Sequence, residues 1–226
     1  MPVERSNVPE QVFRQLVAAV LEGRYEAGER LPPQRALAQD LGVNMASLRE
    51  GIKRLEQLRL VEVRHGDAMR VTDWKTTAGL DVLAHAVADD PALTGPLFEA
   101  RRLLLREAAR LAAQRRTDGH VKALDSLADG VANAPDDAAA QMADLMFMAT
   151  IIDASDNLIF SLILNSIREL YLSQLDRFAP LVADRDELIP LYRRAAKAIA
   201  DGSAARAATA IERLAAEQEA RMVGTP

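Results

Sequence analysis

The sequence predicts a mainly α chain in two parts: an N-terminal head of three short helices closed by a small β-hairpin, then a C-terminal bundle of about seven helices. Three observations carry this. The head's five elements succeed one another within about 65 residues, residues 61–72 alternate apolar and polar as a half-buried strand does, and no such alternation follows residue 79. The domains are therefore 1–73 and 79–226, joined by Asp73 to Gly79.

In the head, Asn7-Val8-Pro9-Glu10 starts a helix with a capping Asn, a Pro in the first turn and an acid three residues on. Val12, Leu16 and Val20 share one face of it, and Gly23 can end it. A shorter helix spans Pro33 to Leu41 with Leu37, Ala38 and Leu41 inward, and Gly42 permits a left-handed turn. The third helix has Leu48, Ile52, Leu55 and Leu58 at helical spacing, which turns Arg49, Lys53 and Arg54 outward. Val61 and Val63 then alternate with Glu62 and Arg64, His65-Gly66-Asp67 makes a turn, and Met69 to Thr72 returns. Two helices, a Gly turn, a third helix and a hairpin make a winged helix-turn-helix.

With 226 residues and 49% hydrophobic content, the chain can bury one large core or two modest ones. It has no Cys, no basic-then-apolar leader and no apolar run of the ~18 residues a membrane span needs. The expectation is a cytoplasmic protein without disulfides, thiolate metal sites or a membrane partner. Net charge is −5, which argues against indiscriminate coating of nucleic acid. Residues 1–75 carry +1 and the remainder −6, so the head is the half suited to phosphates. A major groove about 12 Å wide admits one helix, where Arg can place two donors on guanine O6 and N7. Arg49, outward on the third helix, is the first candidate for that contact.

After the linker, helices are expected at 79–88, 94–115, 118–132, 137–154, 156–178, 185–200 and 203–222. A bundle of this kind can hold a small ligand between facing side chains. An enzyme would need Asp144, Glu169 and Tyr192 as acid–base groups. No nucleophile set, Gly-rich phosphate loop or paired catalytic motif accompanies them, so the sequence is not that of an enzyme.

The stretch EGRYEAGERLPPQRALAQDLGVNMASLREGIKRLEQLRLVEVRHGDAMRV resembles the DNA-binding domain of GntR-type bacterial transcription regulators. HGDAMRVTDWKTTAGLDVLAHA and NLIFSLILNSIRELY are similar to segments of the FadR branch, whose members add an all-helical effector-binding domain. The resemblance implies a homodimer on a palindromic double-stranded DNA operator, acting as a repressor and released by a small-molecule effector. It implies DNA contacts at Arg35, Asn44, Ser47, Arg49, His65 and Gly66. The chain departs from the family at Asn44-Met45, where Ser/Thr-Arg is usual; Met45 can touch a thymine methyl but cannot replace two hydrogen bonds. Pro33-Gln34 likewise replaces the common Ser/Ala-Glu pair.

Many relatives hold a metal through an Asp and three His. Here Asp144 matches the first ligand, while Met148, Tyr192 and Leu214 stand at the others, and His65, His85 and His120 fall outside the pattern. That donor set implies no cofactor and a lost metal site. The resemblance then points to a metal-free effector pocket with Arg101 holding a ligand carboxylate and Asn157, Asn165 and Tyr171 as polar groups. For Met148 and Tyr192 the alternative is core filling, and for Asn165 a tie between helices. A fatty acyl-CoA is one effector; a small organic acid, or a non-selective DNA-binding scaffold without an effector, are the alternatives.

Overall fold

The computed structural model describes residues 8–63 and 68–224. It divides into two compact units, Met1–Asp90 and Pro91–Pro226.

The first unit opens with α1 (Val8–Leu21), which buries Val12, Phe13, Leu16, Val17 and Val20. Gly23, with φ +75°, ends that helix as expected. Next come α2 (Gln34–Asp40) and α3 (Met45–Gln57). Between them Gly42 takes φ +64°, donating its N–H to Gln39 O, while Val43 N–H reaches Ala38 O at 2.9 Å. The α3 stripe of Leu48, Ile52 and Leu55 is buried on α1. Leu58, expected in the same stripe, is half-buried at the helix end.

The hairpin is β1 (Val61–Glu62) and β2 (Arg70–Val71), antiparallel with Val61 opposite Val71 and Glu62 opposite Arg70. The expected turn at His65 and Gly66 lies outside the described residues. Sequence reading missed a third strip: Gly28 N–H donates to Val71 O, Val71 N–H to Glu29 O and Leu31 N–H to Met69 O, at 2.8–2.9 Å. Residues 28–31 thus satisfy the backbone groups of β2 that would otherwise lie open.

The linker is not extended. Asp73 accepts the Lys75 N–H and starts α4 (Trp74–Thr77), and a 3-10 turn leads into α5 (Leu83–Asp89). Val82 joins the head core and the His85 ring meets Phe13 edge-on at 5.2 Å. Residues 79–90, expected to open the second domain, therefore belong to the first unit, because their apolar side chains find α1.

The second unit comprises α6 (Thr94–Arg115), α7 (Asp118–Ala132), α8 (Asp137–Ala154), α9 (Leu158–Ser173), α10 (Leu175–Phe178), α11 (Arg185–Ala200) and α12 (Ala204–Val223). Four of these bounds match the sequence expectation. The caps explain the agreement: Thr117 and Asp136 accept the N–H groups of His120 and Ala139, stopping α7 and α8 from starting earlier. α6 and α12 pack along each other and both bury several alanines, small side chains that let two axes approach closely. The single helix expected at 156–178 is instead two. Gln174 leaves helical geometry at φ −134°, ψ 40°, and the Gln141 side chain donates to the freed Leu175 carbonyl at 2.8 Å. The break brings Phe178 back to stack on Tyr171 at 5.3 Å.

Candidate functional site

The first candidate surface is the outer side of α3. Asn44 caps the helix, its Oδ1 accepting the Ser47 N–H at 2.9 Å, while the residue itself stays exposed. Ala46, Arg49, Glu50 and Lys53 follow on one exposed face. Arg49, Lys53 and, on α2, Arg35 are exposed and form no ion pair or hydrogen bond with another described side chain. These are cations whose charge is left for an outside partner.

Three neighbours are placed differently from the sequence expectation. Ser47 is only 8% exposed, because it falls on the buried stripe beside Leu48 and Gly51. Met45 is half-buried with part of its side chain packed on the head core, and Ala46 is the small exposed residue of that turn. Arg54 does not face outward. It bonds Glu10 on α1 and lies over the Phe13 ring at 3.8 Å, clamping α3 to α1. That ion pair holds the Glu10 carboxyl below the usual carboxylate range. His65 and Gly66 lie outside the described residues.

Gly51 was missing from the sequence reading. A Cβ there would sit 2.8 Å from Val12 Cγ1 and 3.3 Å from Phe13 N, so glycine is what lets α3 lie this close to α1. Its only sequence signal is a glycine inside a strongly amphipathic helix.

The second site lies in the helical unit, between α6, α8, α9 and α10. Asp144 on α8, 2% exposed, is its centre. Tyr192 on α11 donates its O–H to Asp144 Oδ1 at 2.6 Å. Gln218 on α12 donates from Nε2 to the same oxygen and to Tyr192 Oη, both at 2.9 Å, and its Oε1 accepts from Arg101 Nη2 on α6 at 2.9 Å. Arg101 also stands 3.7 Å from Asp144 Oδ2. Four helices are tied by four side chains. Burial, then the facing carboxylate, pushes the Tyr192 hydroxyl well above the usual phenol value and keeps it a donor.

Of the family metal positions, Asp144, Met148, Tyr192 and Leu214, only Asp144 is an anionic oxygen. It is already engaged by Tyr192 and Gln218, Tyr192 is a protonated phenol, and Leu214 is buried alkyl. This donor set does not fit a metal ion. The polar partner that sequence reading missed is Gln218, one helical turn beyond Leu214 and on the same face of α12.

Beside this tie lies a cavity of about 80 Å³, lined by Phe98, Arg101 and Leu104 of α6, Asp144 and Met148 of α8, Leu164 and Tyr171 of α9, and Phe178. Its walls are almost wholly apolar. Its charged or polar lining residues are Arg101, Asp144, Arg168 and Tyr171, and of their groups Arg101 Nη1 and the Tyr171 hydroxyl are buried with no hydrogen-bond partner among the described residues. Burial raises the Tyr171 phenol above its usual range, so its proton is retained. Of the residues expected at an effector pocket, Arg101, Asp144, Met148 and Tyr171 line this cavity. Tyr192 lies behind the cavity wall, Asn165 is on the exposed face of α9, and Asn157 is the N-cap of α9, accepting the Ile159 N–H at 3.1 Å.

Comparisons with known proteins agree with both halves. The sequence model for bacterial regulatory proteins of the gntR family matches residues 9–71, and the FCD domain model matches residues 96–217. The HTH-type transcriptional regulator Mce2R of Mycobacterium tuberculosis is 33% identical over 205 residues, covering 89% of this chain and 85% of that protein. The fatty acid metabolism regulator protein of Pasteurella multocida is 29% identical over 164 residues, 69% of this chain and 65% of that one. A solved Streptococcus agalactiae GntR structure is 26% identical with a TM-score of 0.52, covering 93% of this chain and 98% of that one. The winged head followed along the chain by a helical unit, and the sequence matches across both, place this chain in the GntR family of bacterial transcription regulators, with an FCD domain as its second part.

Proposed function

We propose that this regulator binds its operator as a homodimer and is released by a small apolar carboxylic acid that enters the FCD cavity without a metal. The carrying observation is the pair of unmatched buried donors, Arg101 Nη1 and the Tyr171 hydroxyl, at the edge of an otherwise apolar cavity. Buried donors are normally satisfied, and leaving one unmade costs about 1–3 kcal/mol. A carboxylate supplies two acceptor oxygens for such donors, and its hydrocarbon body replaces void with contact. A ligand that prefers the non-DNA conformation lowers operator affinity by its differential binding energy, typically about 1–3 kcal/mol.

A fatty acyl-CoA is the second reading, favoured by the apolar lining and by the name of the Pasteurella relative. At about 80 Å³ the cavity is well below the roughly 300–1,000 Å³ of drug-sized ligand sites, so a long acyl chain requires α9 to shift outward. Thermal-shift measurement separates the readings. Short aliphatic acids are expected to stabilise the protein, Tyr171→Phe to weaken that effect several-fold, and Zn or Ni to give none. Stabilisation by acyl-CoA alone would transfer support to the second reading, and a large shift with Zn or Ni would refute the metal-free site.

A further inference from the structure

The outer groove between α11 and α12 gathers positive charge that the operator face and the effector cavity do not use. Arg193, Arg194 and Lys197 line it from α11, and Arg206, Thr209 and Arg213 from α12. On each helix the lining positions recur at i, i+1 and i+4, so each set is one continuous face. The lining runs over eight residues of rise on each helix, about 12 Å. In a chain of net charge −5, its only acidic lining residue is Asp201.

The charges are unevenly compensated. Lys197 and Arg206 share Asp201 at 3.2 and 3.6 Å, and Arg193 meets Asp129 at 3.2 Å with both side chains more than 60% exposed. Arg194 and Arg213 are exposed and have no ion pair or hydrogen bond to another described side chain. At the loop end, Ser203 does not cap α12 and no acid sits in its first turn, so Asp201, already shared by Lys197 and Arg206, is the lining acid near that positive helix end. None of the groove's lining residues is shared with the apolar cavity.

We propose that this groove binds a small, non-aromatic anion carrying two or more phosphate groups. Guanidinium forks match phosphate oxygens in pairs, and cations set in a line along two helices suit phosphates joined in a short chain. The lining has no aromatic side chain on which a nucleobase could stack, and nothing apolar larger than alanine to anchor a peptide. Packed helices stand about 8–10 Å apart, so a DNA duplex is too wide for the floor and meets only the rim.

Calorimetric titration of the full chain with sodium tripolyphosphate at 50 and 150 mM salt tests this, with acetate as the singly charged control. Saturable one-to-one binding is expected at both salts, weaker at the higher, with acetate giving none. An Arg194→Gln, Arg213→Gln double variant, altered only at exposed positions, is expected to keep its helical circular dichroism and lose at least tenfold in affinity. Absence of saturable binding, or equal affinity in that variant, overturns the proposal. So does a preference of the groove for polyglutamate or for random-sequence duplex, measured in an Arg49→Ala background.

Discussion

Tyr192 shows how a buried carboxylate can be satisfied by side chains of other helices. Its hydroxyl and the Gln218 amide converge on Asp144, whose other oxygen faces Arg101, so a buried carboxylate is satisfied by α6, α11 and α12 together. Removing the hydroxyl leaves Asp144 and the Gln218 amide each short of a partner, at about 1–3 kcal/mol for a buried group. Tyr192→Phe is therefore expected to lower the urea-unfolding free energy by that amount. An unchanged midpoint would show that the tie carries no stability. The sequence reading set Asp144 and Tyr192 at two of the family's metal-ligand positions and Arg101 near an effector pocket, without joining them. Gln218 was not legible because glutamine on a helix is usually solvated, and only its 0% exposure reveals the role.

At the scale of elements, α3 is held by its contact with α1. Gly51 sets the approach, while Arg54 reaches across to Glu10 and Phe13. Gly51→Ala would gain about 1 kcal/mol of helix propensity but force a Cβ against a stiff Val12 and the Phe13 backbone, an overpacking worth about 1–3 kcal/mol. The expected net effect is a destabilised head, read from the fluorescence of Trp74, the chain's one tryptophan, which packs on the head core. A head more stable than wild type would contradict the close approach. Helix positions were legible because caps and breakers are local: Thr117, Asp136, Gly23 and Gly42 act where they stand. The third strip at residues 28–31 and the break at Gln174 were not, since their hydrogen-bond partners, Met69, Val71 and Gln141, are distant in sequence. For the same reason Arg54 was expected to face outward, when its partners lie on α1.

At the scale of the molecule, the two units respond differently to pH. In the second unit the Tyr171 and Tyr192 phenols are both raised, chiefly by burial. A raised folded-state value means the folded form keeps a proton that the unfolded chain gives up near pH 10. The contribution is fully present below that pH and is lost as the pH climbs towards the folded-state values. Helical circular dichroism is expected to show stability falling above about pH 10, less steeply in Tyr192→Phe; an identical slope in that variant would contradict the assignment. The head carries the opposite case. Glu10 is lowered by its bond to Arg54, so its contribution holds above the usual carboxyl range and fades in acid. No helix among the described residues is long and apolar enough to cross a membrane.

In the proposed function the exposed cations of α3, Arg49 first, read the operator. Fluorescence anisotropy with an operator selected from genomic fragments, measured for wild type and Arg49→Ala at fixed salt, tests it directly. The predicted result is a loss of about 1–3 kcal/mol, roughly five- to 150-fold, for the operator, with random duplex little affected. Unchanged operator affinity in Arg49→Ala would contradict it.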